Sequence, residues 1–276
     1  MKYLQNMHTH TVYCDGKDTP EELIQKALEL GFDTLGFSIH AYMWYSEIMG
    51  KRGDQSPQYI EEIKRLKEVY KDKINVILGI EEDMYAPVDL EPYEYIIGSM
   101  HYFRFGENEK PVPFDRNDEI VAGLIRDYFD GDGMKYVKRY YEEIVTMHDV
   151  VGKKIDVIGH FDLITKNNAN LHYVDTSTKE YQTYAIDALR ELSKKTDIFE
   201  MNTGSVSRGY KDRPYLEDFI LKEINRLGKG VILTSDCHNK EYLNSYFDEG
   251  LELLKANGFG EVYVYENGKF VPKPLY

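Results

Sequence analysis

The segment from Thr19 to His40 decides the fold. It begins Thr19-Pro20-Glu21-Glu22, in which a threonine can cap free helix N–H groups, proline takes the first helical position and a glutamate stands three residues after the cap. Leu23, Ala27 and Leu30 then share one helical face, and Gly31 closes the helix. Directly after it comes Asp33-Thr34-Leu35-Gly36-Phe37-Ser38-Ile39-His40, an apolar β-type run that ends in an imidazole. A helix followed at once by a strand is half of a βα repeat, and the rest of the chain keeps the alternation. Tyr3–His8, Asp33–His40, Ile74–Glu81, Tyr93–His101, Ile155–His160, Asp197–Asn202 and Val231–Asp236 read as seven strands. Amphipathic stretches between them predict parallel strands with helices packed outside, an α/β fold.

Other helices carry similar signals. Ser56-Pro57 opens one in which Tyr59, Ile63, Leu66 and Tyr70 recur at helical spacing. A third starts near Met134, with Val137, Tyr141, Ile144 and His148 on one face, and others fall at Lys179–Lys195, Pro214–Leu227 and Glu241–Asn257, the last closed by Gly258. The tail Glu261–Tyr276 reads as a strand pair turning at Asn267-Gly268. Two connections exceed what a βα unit needs: Ala41–Gln55, with Trp44, and Tyr102–Gly133, with Arg104, Arg116 and Arg126. Both are expected to act as lids, because long loops in a compact domain usually carry function. Trp44 and its aromatic neighbours read as packing, with stacking on a substrate ring as the alternative. With no repeat or linker to divide it, the chain is expected to form one domain over residues 1–276.

Composition narrows the function. In 276 residues, 42% are hydrophobic and 30% charged, and mean hydropathy is −0.53, which excludes disordered and membrane-embedded classes. The net charge of −14 argues against nucleic acid or an anionic membrane as partner. Two cysteines cannot staple a fold of this size, so reduced thiols and a cytoplasmic location are expected. Neither an apolar leader nor an 18-residue apolar run is present, which predicts no export and no membrane span.

Six of the eight histidines stand at or just beyond the ends of the predicted strands: His8, His10, His40, His101, His160 and His238. Glu81 and Asp236 end two strands as well. One such histidine alone would be an ordinary hydrogen-bonded residue, whereas six at successive strand ends gather imidazole and carboxylate on one rim, where parallel barrels build active sites. These groups suit zinc, manganese and iron, and they outnumber what one ion needs. Period two turns His8 and His10 to the same side, and likewise Asp236 and His238, with Cys237 facing away as a packing residue. Cys14, His148 and His172 read as structural or surface residues.

Met7-His8-Thr9-His10-Thr11, Gly36-Phe37-Ser38-Ile39-His40, Gly79-Ile80-Glu81, Gly98-Ser99-Met100-His101, Ile158-Gly159-His160-Phe161-Asp162 and Ser235-Asp236-Cys237-His238 resemble, in order, the motifs of the PHP (polymerase and histidinol phosphatase) superfamily. Within it the chain is most similar to the monofunctional histidinol-phosphate phosphatases, nearly end to end, including Asn202-Thr203-Gly204-Ser205 and Arg208. The resemblance implies a single-domain distorted (β/α)7 barrel with three divalent ions (Zn, Mn or Fe) at the C-terminal face of its strands. Carried over by position, His8, His10, Glu81 and Asp236 would hold one ion; Glu81, bridging, with His101 and His160 a second; and Asp15, His40 and His238 a third. Some relatives have histidine where Asp15 stands, so this third site is richer in oxygen, favouring manganese, iron or magnesium there. Many have aspartate where this chain has Asn6, two residues before His8.

The implied activity is hydrolysis of L-histidinol phosphate, a step of histidine biosynthesis. Phosphate monoester hydrolysis needs acceleration of up to about 10²¹-fold, far beyond the ~10²–10⁴ of one general base, so clustered metal ions fit the demand. Arg208 and Asn202 are expected to contact the substrate, Arg208 by its guanidinium fork on the phosphoryl oxygens, and Asp236 or water near His238 to protonate the leaving alkoxide. Phosphotyrosyl protein or nucleotides are the alternative substrates, and a non-catalytic metal-binding regulatory module is the alternative of another class.

Overall fold

The structure is a computed structural model and describes residues 3–47, 49–107 and 109–275. All seven sequence-predicted strands form, most of them shorter than expected: β1 Gln5–Asn6, β2 Thr34–His40, β3 Asn75–Asp83, β4 Tyr95–Ser99, β5 Val157–Ile158, β6 Ile198–Asn202 and β7 Gly230–Thr234. They lie side by side in chain order, followed by a hairpin of β8 Glu261–Glu266 and β9 Lys269–Pro274. Pairing is parallel from β1 through β7, and β8 joins β7 in parallel as well, so the sheet gains a parallel strand beyond the expected seven. Asn267 and Gly268 both take positive φ at the hairpin turn, as an Asn-Gly pair should. Tyr276, at the end of the expected tail, lies outside the described residues.

The sheet curls. Beyond the ends of β1 and β7, the His10 amide donates to the Cys237 carbonyl at 2.8 Å and the Cys237 amide to the His8 carbonyl at 3.0 Å. At the opposite end of the same seam the Gln5 side chain substitutes for a strand, donating to the Tyr265 carbonyl (3.0 Å) and accepting from its amide (2.7 Å). The concave side is filled below the strand ends by Met7, Ile77, Tyr95, Ile97, Val157 and Ile232. Tyr95 is the plug: its hydroxyl donates to the carbonyls of Met7 (2.6 Å) and Phe37 (3.1 Å). Gly79 makes room for it, since a Cβ there would stand 2.2 Å from the ring.

Outside the sheet, Pro20–Leu30 has the full capping box between Thr19 and Glu22 and ends at Gly31 in the left-handed region. Ser56–Tyr70 buries Tyr59, Ile63, Leu66 and Tyr70. Four expectations change. The helix from Gly133 stops at Ile144, and His148 sits in the separate turn Met147–Val151, bonded to Thr196. The helix expected from Pro214 begins at Asp218, because the backbone of Tyr215 is engaged with Asn202 instead. The last helix spans Phe247–Ala256, separated from a 3-10 turn at Lys240–Tyr242 by the left-handed Tyr246. The segment Tyr102–Gly133 is not a bare loop: it holds the short strand pair Tyr102–Phe103 and Val112–Pro113 and the helix Asp118–Tyr128. Asn117 caps that helix, and Val121, Leu124 and Ile125 anchor it. Among the described residues no helix is long and apolar enough to cross a membrane.

Candidate metal centre

Strand register sets the site. His40 and Glu81 are direct partners across β2 and β3, so their side chains project to one side. His8 and His10 face the same way, toward Glu81 and Asp236, and the Thr9 amide between them donates to Ser38 Oγ at 3.1 Å. Asp236 lies in the left-handed region (φ 47°), a conformation that costs a non-glycine residue roughly 1–3 kcal/mol and concentrates at functional sites. The chain there is therefore not extended as expected, yet Cys237 still turns away, its thiol on the Asn239 carbonyl.

Nine side chains named from the sequence converge, and among the described residues the groups tight enough to hold one ion are His8, His10 and Asp236, then His40, Glu81 and His101, and then His10, Asp15, His40 and His238, with His160 against Glu81 beside them. Asp236 Oδ1 stands 3.6 Å from His8 Nε2 and 3.1 Å from His10 Nε2, and Glu81 Oε2 lies 3.5 and 3.6 Å from the same nitrogens. The other Glu81 oxygen, Oε1, is 2.8 Å from His160 Nε2 and 3.5 Å from His101 Nε2. Asp15 Oδ1 is 3.2 Å from His238 Nε2 and 3.6 Å from His40 Nε2. His40 also reaches Glu81 Oε2 through Nδ1 at 2.6 Å, so it stands between sets. The sets differ in depth: His8, His10 and Glu81 are at most 1% exposed, whereas His40, His238 and Asp15 are 17%, 19% and 29% exposed.

The electrostatics favour cation binding. Burial opposes charge on Asp236, Glu81 and Asp15, yet Arg208 and His8, then His40 and His8, then His40 and His238, hold the three carboxyls well below their usual range. Burial also opposes charge on His40, but Glu81 and Asp15 push it up to about 9. Burial, with His238 and His40 nearby, pushes His10 down to about 3, leaving it a neutral donor. Among the described residues, six buried side-chain atoms of the cluster face neighbouring site atoms at 2.6–3.6 Å without a well-aligned hydrogen bond: His8 Nε2, His10 Nε2, Asp15 Oδ1, His40 Nδ1, Glu81 Oε2 and Asp236 Oδ1. Each such atom costs about 1–3 kcal/mol, and imidazole and carboxylate lone pairs facing one another are what divalent cations satisfy. The donor set fits metal ions. Cys14 packs beneath with Sγ 3.4 Å from His10 Nδ1, and burial pushes its thiol up to about 12, so it offers no thiolate.

Above the cluster opens a cavity of about 680 Å³. Both expected lids line it, through Met43 and Ser46 on one side and Arg116 and Ile120 on the other, with Lys166 and Tyr210 opposite. Arg116 alone of the three lid arginines reaches it: Arg104 stacks on Tyr85 at 5.2 Å, and Arg126 pairs with Asp127 in solvent. Trp44 is 61% exposed and neither packs in the core nor lines the cavity. Arg208 lines the cavity with its guanidinium on Asp236 Oδ2 (2.5 Å) and His238 Nδ1 (3.0 Å). Asn202 does not reach the cavity. Its amide donates to Glu200 and Asp236, both at 3.2 Å, and accepts from the Gly204 amide at 2.8 Å, leaving nothing for a substrate. Asn6 likewise stays behind the site, holding the His8 amide and Ser235 rather than a ring.

Two carboxylates escaped the sequence reading. Glu200 accepts from His8 Nδ1 at 2.5 Å, and Asp83 Oδ2 lies 3.3 Å from His101 Nδ1 while accepting from its amide at 3.0 Å. Period two was their signal: Glu200 shares a face with Asn202, and Asp83 with Glu81.

Residues 6–204 match the family model of the PHP domain. The chain is 24% identical to the probable histidinol-phosphatase of Deinococcus radiodurans over 286 aligned positions, covering 99% of this chain and 100% of that one. It is 23% identical to the histidinol-phosphatase of Bacillus subtilis, covering 89% and 97%. Its fold matches the crystal structure of histidinol phosphate phosphatase from Lactococcus lactis subsp. lactis, complexed with Zn, L-histidinol and phosphate, at a TM-score of 0.68 and 20% identity over 97% of this chain and 98% of that one.

Proposed function

The chain belongs to the PHP domain family, and on that premise we propose that it is a metal-dependent phosphatase that hydrolyses L-histidinol phosphate to L-histidinol and phosphate. The observation that carries the chemistry is the group of six buried imidazole and carboxylate atoms that face one another without well-aligned hydrogen bonds beneath an open cavity. The substrate rests on the relatives named histidinol-phosphatase and on the fold neighbour that binds histidinol and phosphate. We read the curled sheet as the distorted (β/α)7 barrel of one domain over residues 1–276, with the metal site at the C-terminal rim.

His8, His10, Glu81 and Asp236 would hold one ion, Glu81 with His101 and His160 a second, and Asp15, His40 and His238 a third. Zinc is the ion of the fold neighbour; the oxygen of Asp15 leaves manganese or iron open at the third position. Bound divalent ions supply Lewis-acid polarisation of the phosphoryl group and a water acidic enough to ionise at neutral pH. Arg208 holds the phosphoryl oxygens with its fork, presented at the cavity floor and kept in place by Asp236 and the Gly204 carbonyl. Asp236 serves as a ligand rather than a proton donor, because it is held ionised and its Oδ2 is covered by Arg208 and Asn202. The proton for the leaving alkoxide comes from the His238 side, where the ring is 19% exposed to the cavity. With a charge of −14 the chain is suited to a small cytoplasmic monoester and not to nucleic acid or a membrane surface.

Steady-state kinetics on histidinol phosphate and on an aryl phosphate, with metal content measured on the same preparation, test this reading. The expected result is a higher kcat/KM for histidinol phosphate. Equal values would remove the substrate assignment and leave the phosphatase; no turnover of either ester by metal-loaded protein would remove both.

A further inference from the structure

Resting on that metal-centre reading, we propose that Glu200 is a positioning residue that organises the deep half of the centre, fixing which nitrogen of His8 is free and where His160 and Asp236 stand. Glu200 lies in the middle of β6 with no exposed surface, and no Lys or Arg touches it among the described residues. Four groups converge on its two oxygens. Oε1 accepts from His8 Nδ1 (2.5 Å) and Thr234 Oγ1 (2.6 Å); Oε2 accepts from the His160 amide (2.8 Å) and Asn202 Nδ2 (3.2 Å). Asn202 carries the link onward to Asp236 Oδ2 at 3.2 Å. One buried carboxylate thus ties together the His8 ring, the backbone of His160 and, through Asn202, the Asp236 side chain, which come from three different strand ends.

The donor count explains why the residue is a glutamate. The His160 amide, the Asn202 amide and the Thr234 hydroxyl all donate, so an acceptor-only group is required, and His8 completes the set by placing its proton on Nδ1. With Nδ1 turned to Glu200, Nε2 is the nitrogen that faces Asp236 and Glu81 and the one left to meet an ion. A buried anion without a fixed cation is costly, and a positive centre beside it offsets the cost. Glutamine keeps the shape, but its NH₂ must face either the fixed His160 and Asn202 donors or His8 and Thr234, which can accept it only if the His8 proton moves to Nε2 and the Thr234 hydroxyl turns.

The test is a cobalt(II) titration of metal-free protein, followed by chelator competition and the visible absorption of the bound ion, on wild type, Glu200→Gln and Thr234→Val. Glu200→Gln is expected to weaken the tightest ion by about 10–100-fold and to alter its spectrum, with kcat reduced more than KM is changed. A purely structural role would lower the melting temperature of the metal-free protein and leave ion affinity and spectrum as in wild type, which would overturn the proposal. Thr234→Val removes a donor to the same oxygen without touching any ligand, and a smaller loss of affinity is expected. Should Glu200→Gln fail to fold, unchanged affinity in Thr234→Val would overturn the proposal. Failure of the wild type itself to bind cobalt would defeat the metal-centre reading, a result distinct from equal binding by wild type and variant.

Discussion

The deep and shallow halves of the strand-end cluster share chemistry but differ in support. His8, His10, Glu81, His160 and Asp236 are at most 6% exposed, and His8, His160 and Asp236 are backed by Glu200 and Asn202. Asp15, His40, His101 and His238 are 12–29% exposed; His40 ends β2 against Glu81, Asp15 leans on His40 and His238, and His101 is steadied by Asp83, which in turn accepts from Tyr45 of the Ala41–Gln55 lid at 3.1 Å. The same residue types can therefore act at two levels of rigidity. Buried groups with fixed partners lose little entropy when they bind an ion, whereas exposed ones must still be ordered and are screened by water.

Removing a deep ligand should have the largest effect. His8→Ala or Asp236→Ala is expected to lower kcat/KM by at least ~10³-fold, several kcal/mol of transition-state stabilisation, together with loss of metal measured by elemental analysis. A deep variant that keeps its metal and most of its activity would erase the distinction between the halves. Arg208→Lys comes next: charge is retained but the fork is lost, so a fall of about 10²-fold at unchanged metal content is expected. Unchanged kcat/KM would take Arg208 out of the site.

Asp15→Asn probes the shallow half. It should release the outermost ion to a chelator first, while the deeper ions stay bound, and reduce kcat/KM by about tenfold, or ~1.4 kcal/mol. Simultaneous loss of all ions would show the centre to be one unit. The smallest effect is expected for Tyr45→Phe, which removes the hydroxyl that joins the lid to Asp83. A single hydrogen bond is worth ~0.5–1.5 kcal/mol, so KM for histidinol phosphate should rise less than about tenfold with metal content unaltered.

The legible part of the molecule was the part governed by local rules. The Thr19 capping box, the Asn267-Gly268 turn and the Tyr59, Ile63, Leu66, Tyr70 stripe depend on neighbours within a few residues, and each formed as read. The helix Asp118–Tyr128 was also written locally, in Asn117 and the Val121, Leu124, Ile125 spacing, but sat in a segment whose length and arginines suggested a loop. Asn202 illustrates the opposite case. It ends its strand as read, but its side chain is turned from the cavity: the Glu200 and Gly204 bonds are local, while Asp236, which takes the rest of its NH₂, becomes a neighbour only when β6 and β7 pair.

By itself the sequence determined the α/β alternation, the kinds of ligand available and the strand ends that would carry them, since periodicity and residue chemistry are properties of short segments. Only the tertiary structure decided which atoms meet: that Asp236 divides its two oxygens between the histidines and Arg208, that a glutamate 192 residues from His8 directs the His8 ring, and that Arg116 rather than Arg104 or Arg126 faces the cavity. Those pairings follow from the register and curl of the sheet. Both are set by packing over the whole chain, where a shift of one residue in any strand would turn its ligands to the other face.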